Sequence, residues 1–137
     1  MSVKQIKVGD NATLSRKVTG EDIRKMADIS GNYNLIHIDE EYAKRTVFGK
    51  VIAHGIFGVG MISALLGNTL PGDGTIILSE EFRFLKPIYA GDYITAEVTV
   101  SEIFRNKERV LMAAVCRNQN DEVVMDGTVL TKFPQLP

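Results

Sequence analysis

Two short segments of the chain concentrate polar side chains that could do chemistry. The first, residues 30–39, reads SGNYNLIHID and contains Asn32 and His37. The second, residues 48–55, reads FGKVIAHG, contains His54 and Gly55, and leads directly into a strongly apolar stretch. Histidine exchanges a proton near neutral pH, so proton transfer is the chemistry that these segments offer first. Polar groups gathered in loops beside an apolar helix are typical of a site carried by a rigid scaffold.

The apolar stretch predicts the helix that positions both segments. Residues 56–66 contain no charged side chain and almost no polar face, which predicts a long helix buried on all sides. Loop-forming residues at 67–74 are expected to end it. Shorter helices are predicted at 20–29, where Thr19 precedes an acidic first turn, and at 39–44, where Asp39 is expected to act as the N-cap.

The remaining sequence predicts strands. Residues 93–104 alternate apolar and polar side chains, as a half-buried strand does. Further strands are predicted at 12–18, 76–85, 110–117 and 123–133, and the short connections between the later ones make them antiparallel neighbours. The expected fold class is therefore α+β, with five or more antiparallel strands curled around the 56–66 helix. Open sheet edges would invite pairing between subunits.

Length, charge and cysteine usage exclude several classes of function. The 137 residues fit one domain, predicted to span 1–137. A formal charge of −1 supplies no basic surface for nucleic acid. Cys116 has no disulfide partner, and one cysteine with two histidines offers no zinc cluster, so a cytoplasmic protein without a metal site is expected. No signal peptide or membrane-spanning stretch is predicted.

In this order along the chain, the motifs resemble those of the MaoC-like, (R)-specific enoyl-CoA hydratase family, which has the hot-dog fold. The family pattern Ser-Gly-Asp-x-Asn-Pro-Ile-His-x-Asp corresponds to residues 30–39, and its Ala-His-Gly segment corresponds to residues 53–55. Residues 82–92, FRFLKPIYAGD, resemble a later strand and turn of the family. The chain departs from the pattern at Asn32, where the family has Asp, and at Leu35, where it usually has Pro.

The resemblance implies addition of water to a trans-2-enoyl thioester, or the reverse dehydration. In the family, an Asp and a His hold the reacting water between them, so the catalytic role falls on Asn32 and His37. The Gly55 amide would bind the thioester oxygen at the helix N-terminus, and Ser63 matches a serine near the family's catalytic carboxylate. The implied partner is an acyl-CoA thioester. No cofactor is implied beyond the coenzyme A of the substrate, and the chain is expected to form a homodimer with its pocket between subunits.

Asn32 leaves three interpretations open, because a carboxamide does not take a proton from water usefully at neutral pH. The residue could be an inactivating Asp-to-Asn change, a natural divergence in which His37 alone transfers the proton, or a sign that the protein binds acyl thioesters without converting them. Leu35 favours natural divergence, since an inactivating experiment would not need a second change.

Plainer structural roles compete with these assignments. Taken alone, His37 would be a hydrogen-bonded turn residue, His54 would brace the turn before the helix, and Ser63 would bond to a carbonyl one turn earlier. Arg83 and Lys86 could meet coenzyme A phosphates or simply be solvated. Thioesterase activity, a second function found on the same fold, is disfavoured because residues 56–66 contain no Asp or Glu.

Overall fold

The computed structural model describes residues 5–133. The helices in this range are α1 (Gly20–Ser30), α2 (Leu35–Ile38), α3 (Glu40–Lys44) and α4 (Ile56–Asn68). The strands are β1 (Asn11–Lys17), β2 (Ile76–Phe84), β3 (Tyr93–Phe104), β4 (Arg109–Arg117) and β5 (Val123–Lys132), with a 3₁₀ turn at Arg105–Lys107. No helix of this range is long and apolar enough to cross a membrane.

The five strands form one antiparallel sheet in the order β1-β3-β4-β5-β2, wrapped around α4. Alternation along β3 places Ile94, Ala96, Val98 and Val100 in the core with at most 1% of their surface exposed. Met61, Ile62, Leu65 and Leu66 of α4 pack into the same core. Burial of these apolar side chains is the main force that holds the helix in the curve of the sheet.

Local capping explains where the short helices begin. Thr19 and Asp22 form a reciprocal capping box at the start of α1, and Gly31 ends the helix in the left-handed conformation at φ 77°. Asp39 accepts a hydrogen bond from the Tyr42 amide at 3.0 Å, which confirms its predicted role as an N-cap. The sequence pattern did not predict α2, a single turn that begins after Asn34.

Helix α4 differs from its prediction in two respects. It continues through Asn68, beyond the predicted end at residue 66. It is also not buried on all sides, because Ile56 is 48% exposed and Gly60 and Ser63 lie on the same exposed face. The uncovered face of α4 therefore carries one large apolar side chain, Ile56, beside the small residues Gly60 and Ser63.

Candidate active site

His37 lies in α2, and its ring orientation is set by a residue distant in sequence. The His37 Nδ1 atom lies 2.8 Å from the carbonyl oxygen of Ile52. Because a carbonyl only accepts hydrogen bonds, Nδ1 must carry the hydrogen, and Nε2 of the neutral ring keeps its lone pair. No partner of Nε2 is found among residues 5–133. The ring therefore presents an unprotonated nitrogen.

The surroundings of His37 favour its neutral form. Burial lowers the pKa of the imidazole, the hydrogen bond to Ile52 opposes this shift, and the neighbouring His54 ring adds to the lowering. A His37 pKa below the ordinary histidine value leaves Nε2 unprotonated at neutral pH. His37 can therefore accept a proton from water and return it in a later step.

His54 joins the two polar segments. Its side chain is 2% exposed, and its Nε2 lies 3.0 Å from the backbone carbonyl oxygen of Asn32. The rings of His54 and His37 are stacked, with centroids 3.9 Å apart and an interplanar angle of 23°. The segment that reads AHG therefore contacts both the backbone of Asn32 and the ring of His37. The predicted brace before the helix is observed, and its contacts extend into the site.

Asn32 lies beside this histidine pair with an exposed side chain. Its Oδ1 accepts a hydrogen bond from the Asn34 amide at 3.1 Å, an Asx turn that holds the loop before α2. In the described part of the chain, no hydrogen bond joins the Asn32 carboxamide to the His37 ring. The shared water that the family resemblance implies between these two side chains stays a prediction.

An apolar cavity of about 330 Å³ opens beside His37. His37, Gly55 and Lys86 line it together with Phe48, Ile52, Phe84, Ile88, Val124 and Met125. Gly55 is the N-cap residue of α4, and its amide donates no hydrogen bond to any residue between 5 and 133. A free amide at the start of a 13-residue helix lies at the positive end of the helix dipole, where it can stabilise a developing negative charge.

The other predicted site residues lie apart from the cavity or are already paired. Ser63 is exposed on α4, does not line the cavity, and makes no hydrogen bond to a described residue, so its substrate-binding role stays a prediction. Arg83 forms a bidentate pair with Asp126 at 2.9 and 3.0 Å. Lys86 pairs with Glu122. No group of three or more metal-ligating side chains occurs within the described range.

Some residues of this site were not predicted from the sequence. The roles of the Ile52 carbonyl and the Phe84 ring could not be predicted. Every residue has a backbone carbonyl, and an apolar residue at a strand end does not reveal which residue it contacts. Phe84 packs directly on Gly55: a Cβ atom added at Gly55 would lie 3.0 Å from the Phe84 ring.

Comparison with known proteins decides the family. The family model described as "MaoC like domain" matches residues 3–121. The chain belongs to the MaoC-like domain family. It is 38% identical to a 3-hydroxybutyryl-CoA dehydratase of Methylorubrum extorquens, over 96% of this chain and 83% of the relative. It is also 31% identical to a mitochondrial 3-hydroxyacyl-[acyl-carrier-protein] dehydratase of Arabidopsis thaliana, over 96% of this chain and 80% of that protein.

Solved structures confirm the fold expected of this MaoC-like chain. An (R)-hydratase from Aeromonas caviae superposes with a TM-score of 0.92 at 30% identity, covering 96% of this chain and 99% of that one. The predicted α+β hot-dog fold, with its antiparallel sheet around a long helix, is therefore confirmed.

Proposed function

We propose that this MaoC-like protein is an (R)-specific enoyl-CoA hydratase that adds water to a trans-2-enoyl-CoA, and that it also catalyses the reverse dehydration of a 3-hydroxyacyl-CoA. One observation carries the proposal: His37, with Nε2 unprotonated, and the free amide of Gly55 line the same apolar cavity. A base and an oxyanion donor beside an apolar pocket are the groups that this hydration requires. Relatives with similar sequence and structure are named as hydratases and dehydratases.

The residues divide the reaction between them. His37 Nε2 takes a proton from water while the water oxygen bonds to C3 of the enoyl group. As this bond forms, the electron pair of the C2–C3 double bond moves toward the thioester oxygen, where the Gly55 amide stabilises the enolate. His37 returns its proton to C2, which leaves the histidine neutral and completes the addition of one water. Removing a single oxyanion donor commonly costs about 10²–10³ in rate.

Asn32 takes the role of a positioning group in this scheme. Its Oδ1 is occupied by the Asn34 amide, and its side-chain NH₂ has no partner among the described residues. The NH₂ group can donate a hydrogen bond to the reacting water or to the thioester, but it cannot accept a proton. We infer that the protein works with one proton-transfer residue, below the rate that an added carboxylate would permit.

Hydration of crotonyl-CoA tests the proposal. Loss of the ultraviolet absorbance of the enoyl thioester, with chiral analysis of the product, should show (R)-3-hydroxybutyryl-CoA. His37→Gln should lower kcat by about 10²–10⁴, the usual contribution of a general base. An unreactive protein that releases free thiol from saturated acyl-CoA would instead indicate a thioesterase.

Asn32 is also the observation that favours a second candidate, an acyl-CoA-binding protein without catalytic activity. Such a protein would bind crotonyl-CoA tightly and leave it unconverted. Calorimetric titration combined with the hydration assay separates the two functions, since only the binding protein shows saturation without product.

We further propose that the chain works as a homodimer with its substrate pocket near the subunit interface. Strand β2 is an open edge of the sheet, and Ile76, Leu78 and Phe84 along it are 53%, 43% and 57% exposed. Ile56, at the start of α4, adds another uncovered apolar side chain that is 48% exposed. Light scattering should give twice the chain mass of 15.1 kDa. Leu78→Lys should shift the protein toward the monomer, whereas a wild-type monomer would contradict this proposal.

The proposal also covers the substrate of the protein, its need for a cofactor and its location in the cell. A short- or medium-chain enoyl-CoA fits the apolar lining of the cavity, and the scheme uses no metal or prosthetic group, because His37 and the Gly55 amide supply the groups it needs. The buried, unpaired thiol of Cys116 is typical of a reducing compartment, which favours the cytoplasm. Activity that survives dialysis against a chelator would support the absence of a metal, and fractionation of the source cells would test the location.

A further inference from the structure

His54, in the second polar segment, contacts the first segment at two places without lining the cavity itself. Its Nε2–H group donates to the Asn32 carbonyl oxygen, because the carbonyl can only accept. One face of its ring covers the His37 ring. Asn32 and His37, which both lie in the first polar segment, therefore each receive one contact from the same side chain of the second segment.

The remaining nitrogen of His54 argues against a purely packing role. His54 Nδ1 is enclosed and has no hydrogen-bond partner among residues 5–133. Leaving a buried polar atom unpaired is unfavourable, and an apolar ring of the same shape would avoid that cost. A histidine at this position is explained if both of its contacts are needed: the hydrogen bond from its Nε2–H group to Asn32 and the stacking of its ring on His37.

The backbone around His54 makes the arrangement rigid. The Ile52 amide donates to the Ile36 carbonyl at 3.2 Å, and the Ala53 amide donates to the Ile88 carbonyl at 2.7 Å. Residues 52–55 are thereby tied to α2 on one side and to the segment after β2 on the other. The same four residues supply the Ile52 acceptor of His37 and the Gly55 amide.

We propose that His54 is a positioning residue of the hydration reaction: it fixes the His37 ring by stacking and the Asn32 loop by its Nε2–H hydrogen bond, so that both face the water beside the Gly55 amide. This role rests on the proposed hydratase function, and it is tested below by readouts that do not need activity. Misplacing a reacting group by about 1 Å can cost about 10² in rate, so losses of about 10–10² are expected when His54 is replaced.

Two substitutions separate the two contacts. His54→Gln keeps a donor, because the Gln Nε2 stands the same number of bonds from Cα as the imidazole Nε2, but it removes the ring from His37. His54→Phe keeps an aromatic ring against His37 but removes the donor to Asn32. Met112→Ala serves as the stability control, because Met112 is fully buried in β4 and does not line the cavity.

Nitrogen NMR of the imidazole rings provides the first readout, and the chain has only two histidines to assign. The wild type should show His37 as the Nδ1–H tautomer and His54 as the Nε2–H tautomer. In His54→Gln, the His37 pKa should rise, because the neighbouring ring that helps to lower it is gone. The other charged groups near His37 are unchanged in both variants. Lys86 lines the cavity, and Arg24 and Glu40 line a second groove that His37 also borders.

Hydrogen exchange and kinetics provide the second and third readouts. His54→Phe should speed amide exchange in residues 31–35, whereas His54→Gln should leave it near the wild-type rate. Both variants should lower kcat by about 10–10² with little change in KM. In His54→Gln, the acid limb of the pH–rate profile should shift to higher pH, because the His37 pKa rises.

Other outcomes overturn the proposal. If both variants lose thermal stability like Met112→Ala yet keep the wild-type kcat, His37 pKa and exchange rates, His54 only supports the fold. If the wild-type protein fails to hydrate crotonyl-CoA, the proposed function fails. The tautomer, pKa and exchange measurements then still decide whether His54 holds the His37 ring and the Asn32 loop.

Discussion

Replacing Asn32 with Asp is the most informative perturbation of this protein, because it adds a carboxylate and changes almost no volume. The side chain is exposed, so the free energy of unfolding should change by less than about 0.5 kcal/mol. One carboxylate oxygen can keep the hydrogen bond from the Asn34 amide, now at 3.1 Å, which leaves the second oxygen free for water. The loop geometry should therefore survive the substitution.

The expected gain follows from general base catalysis. A positioned base contributes about 10²–10⁴ in rate, and each tenfold change corresponds to about 1.4 kcal/mol of barrier. Asn32→Asp should accordingly raise kcat for crotonyl-CoA hydration by about 10²-fold or more, equivalent to roughly 3 kcal/mol. The new charge should also raise the His37 pKa, because a nearby carboxylate favours imidazolium.

Steady-state hydration of crotonyl-CoA measures this effect, with Asn106→Asp as the matched control. Asn106 is exposed in the 3₁₀ turn after β3, so the same chemical change there should leave kcat unaltered. Equal turnover by the wild type and Asn32→Asp would refute the reasoning that places residue 32 beside the reacting water.

Four further outcomes are expected. Because the His37 pKa is lowered by burial and neutral His37 is the reactive form, kcat/KM should fall with decreasing pH only below pH 6.5, the ordinary histidine value, in a pH–rate profile. Leu35→Pro should raise the free energy of unfolding by about 0.4–1 kcal/mol in urea titrations, because Leu35 is the first residue of α2, where Pro is well tolerated. Gly55→Ala should push on the Phe84 ring, 3.0 Å from the new Cβ, and lower kcat by up to about 10²-fold while thermal unfolding stays cooperative. Burial raises the pKa of the Cys116 thiol to about 12, so alkylation by iodoacetamide should be slow until denaturant unfolds the chain.

The Leu35 prediction also separates the two departures from the family pattern. The residue before it, Asn34, has φ −52° and ψ 128°, a polyproline-like backbone conformation that a following Pro permits. The difference from the family pattern at Leu35 therefore affects the stability of the local backbone, whereas the difference at Asn32 affects the proposed chemistry. A stable Leu35→Pro variant with unchanged kcat would support this division.

Local patterns in the sequence determined most of the fold. The Thr19 cap, the alternation along β3 and the uncharged 56–66 stretch each act through neighbours a few residues away, so a reading of the chain recovered α1, α3, the core of α4 and the strand positions. The ordered motifs also indicated the MaoC-like family, which the comparisons confirm. The single turn α2 was missed because four residues give too little periodicity to recognise.

Only the tertiary structure decided how the site is assembled. The hydrogen bond from His37 to the Ile52 carbonyl spans 15 residues, and the bond from His54 to the Asn32 carbonyl spans 22. Stacking of the two rings depends on the same docking of residues 52–55 against α2. Such contacts depend on backbone positions that the packing of α4 in the sheet imposes, and they leave no periodic or compositional trace in the chain. For the same reason, the sequence does not show which face of α4 is exposed, because that depends on which side of the helix the sheet covers.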